Sequence, residues 1–563
     1  LCESSKRTKS ISVPCKQPRF RRPLLPPVAM SSVPARNDGA DDLAGPPSRG
    51  SYVTVATCNL NQWALDFDGN AKRTLRSCVE ARDVHGASYR LGPELELCGY
   101  GCEDHFLESD TFAHCWESLA WLLDAGATDG LLCDFGMPVL HGGARYNCRV
   151  LVRDRRVLLV RPKTALADGG NYREGRYFTA YVRPEPGGAP ETVAPPGHLP
   201  AFAGAGAVPF GLQYLACADG STVGCESCEE LWTPRATHVD LALAGVEIIG
   251  NGSGSHHELR KLHTRIDLMR SATRKCGGVY LYANQRGCDG GRLYYDGCAV
   301  VVCNGEVLAQ APQFSVDDVE VISATVDLDD VRSYRASIPS FGRQAARGAA
   351  RHYISVAPTP PTPDAAAAGG TAPPCDRVPS LPIELAVHSP EEECCMGPAC
   401  WMWDYLRRSG ASGFFLPLSG GADSSATAAI VYVMCTMVHA AAHRDPDGAV
   451  AAECRRICHR EDADGGRWVP DSPPTIAAAI FHTCYMGTTN SSEATRSRAR
   501  RLGAAIGSYH LALGIDPIVD AAIAVFGAAC GRIPRFSSRG GTTAEDLALQ
   551  NIQARLRMVV AYL

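Results

Sequence analysis

A glycine- and serine-rich turn between a strand pattern and a helix pattern constrains the fold of this chain most. The apolar run 414–416 leads into the turn, and the helix-patterned segment 426–433 follows it. The turn consists of Leu418, Ser419, Gly420, Gly421, Ala422, Asp423, Ser424 and Ser425. A strand that feeds a glycine turn at a helix N-terminus offers backbone N–H groups and the positive helix dipole to an anion. The sequence therefore predicts a phosphate-binding loop.

The residues of this loop indicate which ligand it binds. Glycine lets phosphate oxygens approach the backbone, and Asp423 stands where a carboxylate can hold Mg²⁺ against phosphates. The loop is not Gly-x-x-x-x-Gly-Lys-Ser, which excludes the Walker type. An ordinary Ser/Gly turn that caps a buried helix is the alternative, but six residues fit the phosphate loop together.

Length and composition exclude several classes of protein. A chain of 563 residues should hold two or three domains. Its formal net charge of -5 favours neither nucleic acid nor an anionic membrane as a partner. No run approaches the roughly 20 uninterrupted apolar residues of a spanning helix. In a long chain without a secretory signal, the 25 cysteines predict reduced thiols and an intracellular protein.

The first 50 residues are expected to precede the folded part. The chain begins with Leu1, and residues 6–22 are rich in Lys, Arg, Ser and Pro and contain no acid. Such a segment is typical of an organelle transit peptide. The alternative is upstream sequence read in frame, with Met30 as the true start. We expect a cytoplasmic protein, with organelle import if residues 1–29 are a genuine transit peptide.

Short apolar strands alternate with helical stretches from Tyr52 onward, which predicts an α/β protein. The stretch 184–207 is rich in Pro, Gly and Ala and predicts a surface insertion. Residues 357–374 contain Thr-Pro-Pro-Thr-Pro-Asp, an alanine run and Pro-Pro, which indicates a linker. The predicted organisation is an extension 1–50, a first domain 51–343, a linker 344–380 and a second domain 381–563.

Reactive residues follow several predicted strands of the first domain, and such strand ends gather in one cleft of an α/β fold. Glu94 is placed to act as a general base, and Lys163 is placed to stabilise an oxyanion. Cys228 lies at a sharp turn that suits a nucleophile. Taken singly, Glu94 and Lys163 fit ordinary surface residues as well. Cys225-x-x-Cys228 also matches a redox or zinc pair, and a merely buried cysteine is a further alternative.

Together these motifs resemble the nitrilase superfamily, amidases with a Glu-Lys-Cys triad. They are Pro93-Glu94-Leu95, Pro162-Lys163, Asn171-Tyr172-Arg173-Glu174 and Cys228-Glu229-Glu230-Leu231-Trp232. The resemblance implies an α-β-β-α sandwich in which Glu94 is the base, Lys163 stabilises the tetrahedral intermediate and Cys228 forms a thioester. It also implies that Glu174 assists. Candidate residues for holding the glutamine substrate are then Tyr172, Ser255, and Arg260 or Lys261.

The loop at 418–425 resembles that of the ATP pyrophosphatases, which have a Rossmann-like parallel sheet. An amidase joined to such a domain, with Gln550-Asn551-Ile552-Gln553-Ala554-Arg555-Leu556-Arg557-Met558 near the end, resembles the glutamine-dependent NAD synthetases. This likeness implies a ligase in which ammonia from glutamine converts deamido-NAD to NAD. It implies ATP bound by the loop, Mg²⁺ on Asp423, and Arg555 and Arg557 on the dinucleotide. It also implies a homo-oligomer without a tightly bound organic cofactor.

The last residues, Tyr562-Leu563, stand where relatives continue through further metal and dinucleotide ligands. The second domain is therefore expected to be incomplete, which leaves two alternatives to NAD synthesis by this polypeptide. One is an amide hydrolase with an inert synthetase remnant. The other is a non-catalytic subunit that joins complete synthetase chains.

Overall fold

A computed structural model describes residues 51–182, 191–288, 293–347, 353–356 and 378–563. The predicted extension 1–50 and the linker at 357–374 lie outside the described residues. The strands of the first domain are β1 (Tyr52–Leu60), β2 (Tyr89–Leu91), β3 (Leu132–His141), β4 (Ala144–Arg153), β5 (Arg156–Pro162), β6 (Glu191–Val193), β7 (Val208–Phe210), β8 (Tyr214–Cys217), β9 (Thr222–Ser227), β10 (Ile248–Ser253), β11 (Val279–Cys288), β12 (Tyr294–Asp296), β13 (Val300–Cys303), β14 (Glu306–Gln310), β15 (Val319–Asp327) and β16 (Tyr353–Val356). Its helices are α1 (Phe67–Val79), α2 (Ser109–Asp124), α3 (Glu174–Tyr177), α4 (Thr237–Leu243), α5 (Lys261–Cys276), α6 (Leu328–Ser337) and α7 (Phe341–Ala345).

Strand β1 joins the two halves of this sheet system. It pairs in parallel with β2, antiparallel along its whole length with β15, and in parallel with β11 at Asn59 and Leu60. The order β1-β2-β3-β4-β5-β7-β6 extends on one side, and β11-β10-β9-β8-β16 extends on the other. Strands β9, β10 and β11 are parallel. The ends of β2, β5, β9 and β10 therefore meet at one edge, where the candidate site lies.

Two strand layers face each other, and helices cover both outer faces. Val55 of β1 and Leu281 of β11 belong to the core between the layers. The neighbouring Cys58 faces the other way and packs in one cluster with Leu119 of α2, as the two-residue period of a strand requires. On the opposite outer face, Ile266 of α5 packs against β10, β11 and β13. This arrangement confirms the predicted α-β-β-α sandwich.

Two segments differ from the sequence-based description. Within the predicted linker, β16 pairs in parallel with β8, and the later Ser380 and Ile383 donate to the backbone of β15 and β14. The described part of the predicted surface insertion is anchored in the core, because Phe202 is buried and packs edge-on against Trp116 at 5.4 Å. Phe202, together with Val193 of β6, thus holds a segment whose composition is typical of a loop.

The second domain has the parallel strands β17 (Phe414–Pro417), β18 (Phe481–Gly487) and β19 (Tyr509–Gly514) in that order. Its helices are α8 (Pro390–Ser409), α9 (Ala422–Arg444), α10 (Ala449–Ile457), α11 (Pro473–Ile480), α12 (Glu493–Ile506), α13 (Asp516–Cys530) and α14 (Thr543–Tyr562). A parallel sheet flanked by helices is the predicted Rossmann-like architecture, which is confirmed.

Helix α9 is the one helix among the described residues that is long and apolar enough to cross a membrane by length and composition. Its mean hydropathy is 1.5, and 39% of the window is buried. Val431, Met434 and Val438 lie in the same hydrophobic core as residues of α8, α11 and α12. Core helices of globular domains pass the same test, so this helix carries no argument for a membrane.

Helix α8 fastens the second domain to the first through buried polar contacts. Asn61, directly after β1, donates to the Asp404 carboxylate at 2.9 Å. Arg407 pairs with both Asp404 and Asp318, and the Arg408 guanidinium lies 4.4 Å from the ring centroid of Trp63. Burial alone would raise the pKa of Asp318, but Arg407 outweighs it and lowers that pKa from 3.8 to about 2. The junction is therefore charged and hydrogen-bonded rather than purely apolar.

Candidate active site

Three strand ends bring Glu94, Lys163 and Cys228 together. Glu94 follows β2, Lys163 comes directly after β5, and Cys228 comes directly after β9. Each of the three residues is at most 4% exposed. Such burial is unusual for an acid and a base unless they are paired, and the contacts below show that they are.

The Glu94 carboxylate is held on both oxygens. Its Oε1 accepts hydrogen bonds from Lys163 Nζ at 2.6 Å and from Asn147 Nδ2 at 2.8 Å. Its Oε2 accepts from the backbone N–H of Gly254 at 3.1 Å. The Gln285 amide also donates to the Glu94 carbonyl at 2.7 Å. Because Lys163, Asn147 and the Gly254 N–H all donate to it, the Glu94 carboxylate acts as an acceptor on both oxygens, as a general base requires.

Lys163 lies between two carboxylates. Its Nζ donates to Glu94 and to both oxygens of Glu174, at 2.9 and 2.8 Å. Glu174 also accepts from the Tyr100 hydroxyl and from the Ala167 backbone N–H. Burial alone would lower the pKa of Lys163, but Glu174 and then Glu94 outweigh it and raise that pKa well above its usual range. Lys163 is therefore a fixed ammonium group.

Cys228 stands on a strained turn. Its φ of 41° lies in the left-handed region that residues other than glycine rarely adopt. Its backbone N–H donates to Asn251 Oδ1 at 2.9 Å, and the preceding Ser227 N–H donates to Glu230 at 2.6 Å. Burial, and then the Glu94 carboxylate, raise the pKa of the Cys228 thiol far above its usual value, while Lys163 opposes them. The resting sulfur is thus a protonated thiol next to a base.

A cavity of about 110 Å³ reaches Glu174, the second carboxylate partner of Lys163, and Leu95, the residue after Glu94. Tyr100, Tyr172 and Glu174 are among its lining residues. The Tyr172 hydroxyl donates to the Gly254 carbonyl at 3.3 Å and accepts from the His256 backbone N–H at 3.2 Å. The cavity has the size for a small amide side chain and a wall of aromatic hydroxyl groups.

The other predicted glutamine ligands, Ser255, Arg260 and Lys261, lie in different surroundings. Lys261 Nζ lies 5.6 Å from the Tyr172 ring centroid, and buried Ser255 is held by Asn284 through its backbone. Arg260 instead pairs with Glu393 of α8 at 2.9 Å and donates to the His388 carbonyl. Of the two alternatives for one role, the structure places Lys261 at the aromatic wall and Arg260 at the domain junction.

Neither the Cys225–Cys228 pair nor the adjacent His256 and His257 belongs to a cluster of metal ligands among the described residues. Within the described ranges, no three His, Cys, Asp or Glu side chains gather as a metal site. Cys225 packs in the core between the strand layers, away from the edge where Cys228 lies. Burial, and then Lys261, lower the pKa of His256 to about 4, which keeps this imidazole neutral near pH 7.

The predicted phosphate loop joins β17 to the start of α9. Leu418 is buried and donates to the Cys484 carbonyl, whereas Gly421, Ala422 and Asp423 are exposed. Gly420 has φ +76°, and a Cβ there would lie 2.3 Å from the Thr495 carbonyl oxygen. Only glycine satisfies both conditions at that position. The loop is held open at a helix N-terminus, as an anion site requires.

The hydroxyl groups of the loop are organised among themselves. Ser419 Oγ and Ser424 Oγ lie 3.0 Å apart, and the Gly421 N–H donates to Ser419 Oγ at 3.2 Å. Ser425 Oγ donates back to the Gly421 carbonyl at 2.7 Å. Asp423 lies in the first helical turn with an exposed side chain, so one carboxylate and two hydroxyl groups form the donor set. That set suits Mg²⁺ shared with phosphate oxygens rather than Mg²⁺ held by protein alone.

Arg555 and Arg557 both lie on α14, but their side chains point to different faces of the helix. Residues two apart on a helix do not face each other. Arg557 donates to the Met486 carbonyl at the end of β18 at 3.0 Å, whereas Arg555 contacts Asn551 of its own helix. The structure brings Arg557 to the sheet edge and leaves Arg555 exposed.

Asn147 is the main site residue that motif reasoning missed. It lies in β4 and is 1% exposed. Its side-chain amide donates to Glu94, and its backbone carbonyl accepts from the Lys163 backbone N–H at 2.8 Å. Its only sequence signal is one amide among the apolar residues and arginines of β4. A polar side chain in a buried strand costs free energy unless it has a partner, and that cost could have marked Asn147.

The comparisons with known proteins identify a family for each of the two domains. The family model described as carbon-nitrogen hydrolase matches residues 54–336, and the one described as NAD synthase matches residues 398–563. The chain is 51% identical over 530 residues to the glutamine-dependent NAD(+) synthetase of Saccharomyces cerevisiae, covering 91% of this chain and 70% of the yeast protein. The protein of the same name from Mus musculus is 51% identical over 514 residues, covering 91% and 68%.

Among solved structures, the fold is similar to a glutamine-dependent NAD(+) synthetase from Cytophaga hutchinsonii. The TM-score is 0.69 at 23% identity, over 91% of this chain and 72% of that chain. Both family models match, and the curated relatives share half of their residues with this chain over more than two thirds of their own length. The chain therefore belongs to the glutamine-dependent NAD(+) synthetases, which are ligases.

Proposed function

We propose that Glu94, Lys163 and Cys228, assisted by Glu174, hydrolyse glutamine to glutamate and ammonia. The observation that carries this proposal is the buried Lys163 ammonium held by both carboxylates beside the Cys228 thiol. Glu94 takes the thiol proton as Cys228 Sγ bonds to the side-chain amide carbon of glutamine. The resulting oxyanion faces the Lys163 ammonium.

Collapse of this tetrahedral intermediate then breaks the carbon–nitrogen bond. The Glu94 carboxyl returns its proton to the leaving nitrogen, which departs as ammonia, and a thioester on Cys228 remains. Glu94 next takes a proton from water, whose oxygen attacks the thioester carbon. Glutamate leaves and the thiol is restored. Glu174 keeps Lys163 in place and balances its charge throughout.

Glutamine binding is assigned to the aromatic wall of the cavity. Lys261 beside Tyr172 supplies a cation for the substrate carboxylate, and Ser255, whose backbone is held by Asn284, supplies its hydroxyl group. Arg260 is tied to Glu393, so its proposed contribution is to hold the start of α5 that carries Lys261.

The second domain uses this ammonia to convert deamido-NAD to NAD. The nicotinate carboxylate attacks the α-phosphorus of ATP and releases pyrophosphate, and ammonia then displaces AMP from the adenylylated carboxyl. We assign the ATP phosphates to the loop 418–425, with its backbone N–H groups and the Ser419 and Ser424 hydroxyl groups as donors. Asp423 would hold Mg²⁺, which neutralises phosphate charge when bound. Arg557 is proposed for the dinucleotide; Arg555 lies on another face of the helix.

The assembly, the location and the domain limits are also proposals. A homo-oligomer is supported by the apolar exposed residues of α13 and α14, of which Val525 is 72% and Met558 is 53% exposed. Burial of such patches is a common reason for association. We propose a cytoplasmic protein from its reduced thiols. We also propose domain limits at 51–343 and 381–563, with the linker 344–380 between them contributing β16 to the sheet of the first domain.

Replacement of Cys228 by Ala tests the proposed division of labour. Glutamine-driven NAD formation should disappear, and NAD formation from deamido-NAD, ATP, Mg²⁺ and ammonium should remain. A matched change, Cys225→Ala, removes an equally buried thiol from the inter-sheet core and should keep glutamine-driven activity. Retained glutamine hydrolysis in Cys228→Ala would exclude the assigned nucleophile.

A further inference from the structure

The turn that carries Cys228 is held from behind by a buried chain of polar groups. Asn251 of β10 accepts the Cys228 N–H on Oδ1 and donates from Nδ2 to the Tyr280 hydroxyl at 2.8 Å. Tyr280 donates in turn to the Glu226 carboxylate. Glu226 also accepts from the His238 backbone N–H at 2.7 Å. Asn251 and Glu226 are fully buried, and Tyr280 is 1% exposed.

The order of donors in this chain is fixed by its ionised end. Burial alone would raise the pKa of Glu226, but His238 and Tyr280 outweigh it and lower that pKa, so the carboxylate only accepts. The single proton of Tyr280 therefore points at Glu226, and its oxygen must accept from the Asn251 NH₂ group. This leaves the Asn251 carbonyl facing the Cys228 N–H. The amide cannot turn over without breaking both contacts.

Cys228 needs such a hold because its backbone is strained. A left-handed φ on a residue other than glycine persists only where the surroundings determine it. Glu230 holds the preceding Ser227 N–H, but the Cys228 N–H has Asn251 Oδ1 as its partner. Ser253 Oγ donates to the same oxygen at 2.9 Å and keeps it aligned.

We propose that Asn251 is a positioning residue for the nucleophile, with its orientation set by Tyr280 and Glu226. This inference rests on the proposed role of Cys228. Loss of the Asn251 carbonyl lets the turn relax toward an unstrained φ and moves Sγ away from the amide carbon of glutamine. Misplacement by about 1 Å costs on the order of 10²-fold in rate.

The first test compares Asn251→Ala with Asn59→Ala. Asn59 is an equally buried amide that also accepts a backbone N–H, from Ala299 at 2.9 Å, and donates to a carboxylate, Glu320, outside the triad. We expect Asn251→Ala to lower the kcat of glutamine hydrolysis on the order of 10²-fold with KM within about threefold. Asn59→Ala should keep the wild-type kcat, and NAD formation from ammonium should persist in both.

The second test uses Asn251→Asp, which keeps the shape and also serves if the alanine variant does not fold. A neutral carboxyl reproduces the pattern, since its carbonyl accepts from Cys228 and its O–H donates to Tyr280. Burial near Glu226 raises the pKa of this new carboxyl. The other titratable groups of this hydrogen-bonded series are His238, Tyr280 and the Cys228 thiol. Activity relative to wild type should therefore fall as pH rises, because the neutral form is lost.

The outcomes separate this inference from the proposed function. A kcat of Asn251→Ala within about threefold of wild type, an equal loss in Asn59→Ala, or a pH-independent activity ratio for Asn251→Asp would overturn the positioning role. Full glutamine hydrolysis by Cys228→Ala would overturn the proposed nucleophile instead, whatever the Asn251 variants do. Tyr280→Phe keeps the Asn251 contact to Cys228 but removes the hydroxyl group that orients the Asn251 amide. Its kcat for glutamine hydrolysis should lie between those of wild type and Asn251→Ala.

Discussion

Replacement of Gly420 by Ala should separate the two activities of this enzyme. The added Cβ would lie 2.3 Å from the Thr495 carbonyl oxygen, whereas ordinary contacts begin at 3.4 Å. Thr495 O belongs to the backbone of the first turn of α12, so it cannot rotate away as a flexible side chain would. The loop must therefore move by about 1 Å, the difference between those two distances.

Two costs follow from this geometry. The left-handed φ of +76° costs about 1 kcal/mol in folding free energy once a Cβ is present. The loop displacement acts on catalysis, because the backbone N–H groups no longer meet the ATP phosphates. A shift of about 1 Å corresponds to a loss on the order of 10²-fold in kcat/KM for ATP. Glutamine hydrolysis should be unchanged, since the triad lies in the other domain.

Gly410→Ala provides the matched control. Gly410 ends α8 with φ +71°, and a Cβ there meets no atom within 4 Å. Both variants should lose about 1 kcal/mol in chemical denaturation, but only Gly420→Ala should lose NAD formation from ammonium. Ammonium-driven activity of Gly420→Ala within about threefold of wild type would refute the loop assignment, and so would an equal loss in Gly410→Ala.

Three further predictions concern the first domain and the junction. Asn147→Leu should lower the kcat of glutamine hydrolysis by about tenfold or more through loss of a bond to Glu94, while ammonium-driven NAD formation persists. Labelling of Cys228 by iodoacetamide should still rise with pH above 9, because the thiol pKa is raised, whereas an unperturbed thiol would level off. Because Asp318 has its folded pKa lowered to about 2 beside Arg407, acidification from pH 4 to pH 2 should remove about 2 kcal/mol of stability, and Asp318→Asn should flatten that part of the pH–stability curve.

The candidate phosphate loop and the candidate triad could be located from the sequence because both depend on local patterns. A strand, a glycine turn and a helix can be recognised within the span from residue 414 to 444, and the structure has that order. Glu94, Lys163 and Cys228 each follow a short predicted strand, so only their convergence had to be inferred. Parallel strands place their carboxyl ends at one edge, which made that inference possible.

Other residues were beyond such reasoning because their roles depend on partners distant in sequence. Asn147 and Asn251 each lie inside a buried strand, and their partners are 53 and 23 residues away. The direction of a buried amide cannot be deduced from its own strand. Arg555 and Arg557 are a different case, since the helical period already indicates that residues two apart diverge.

The domain junction links the two candidate sites through one helix. Helix α8 contacts the end of β1 through Asp404 and Asn61, which are 343 residues apart in the sequence. The same helix pairs Glu393 with Arg260, which directly precedes Lys261, the residue proposed to bind the substrate carboxylate beside Tyr172. Its last turn leads within a few residues into β17, which ends at the phosphate loop. One helix therefore connects the site proposed to release ammonia to the loop proposed to bind ATP, and this connection follows from packing rather than from any sequence motif.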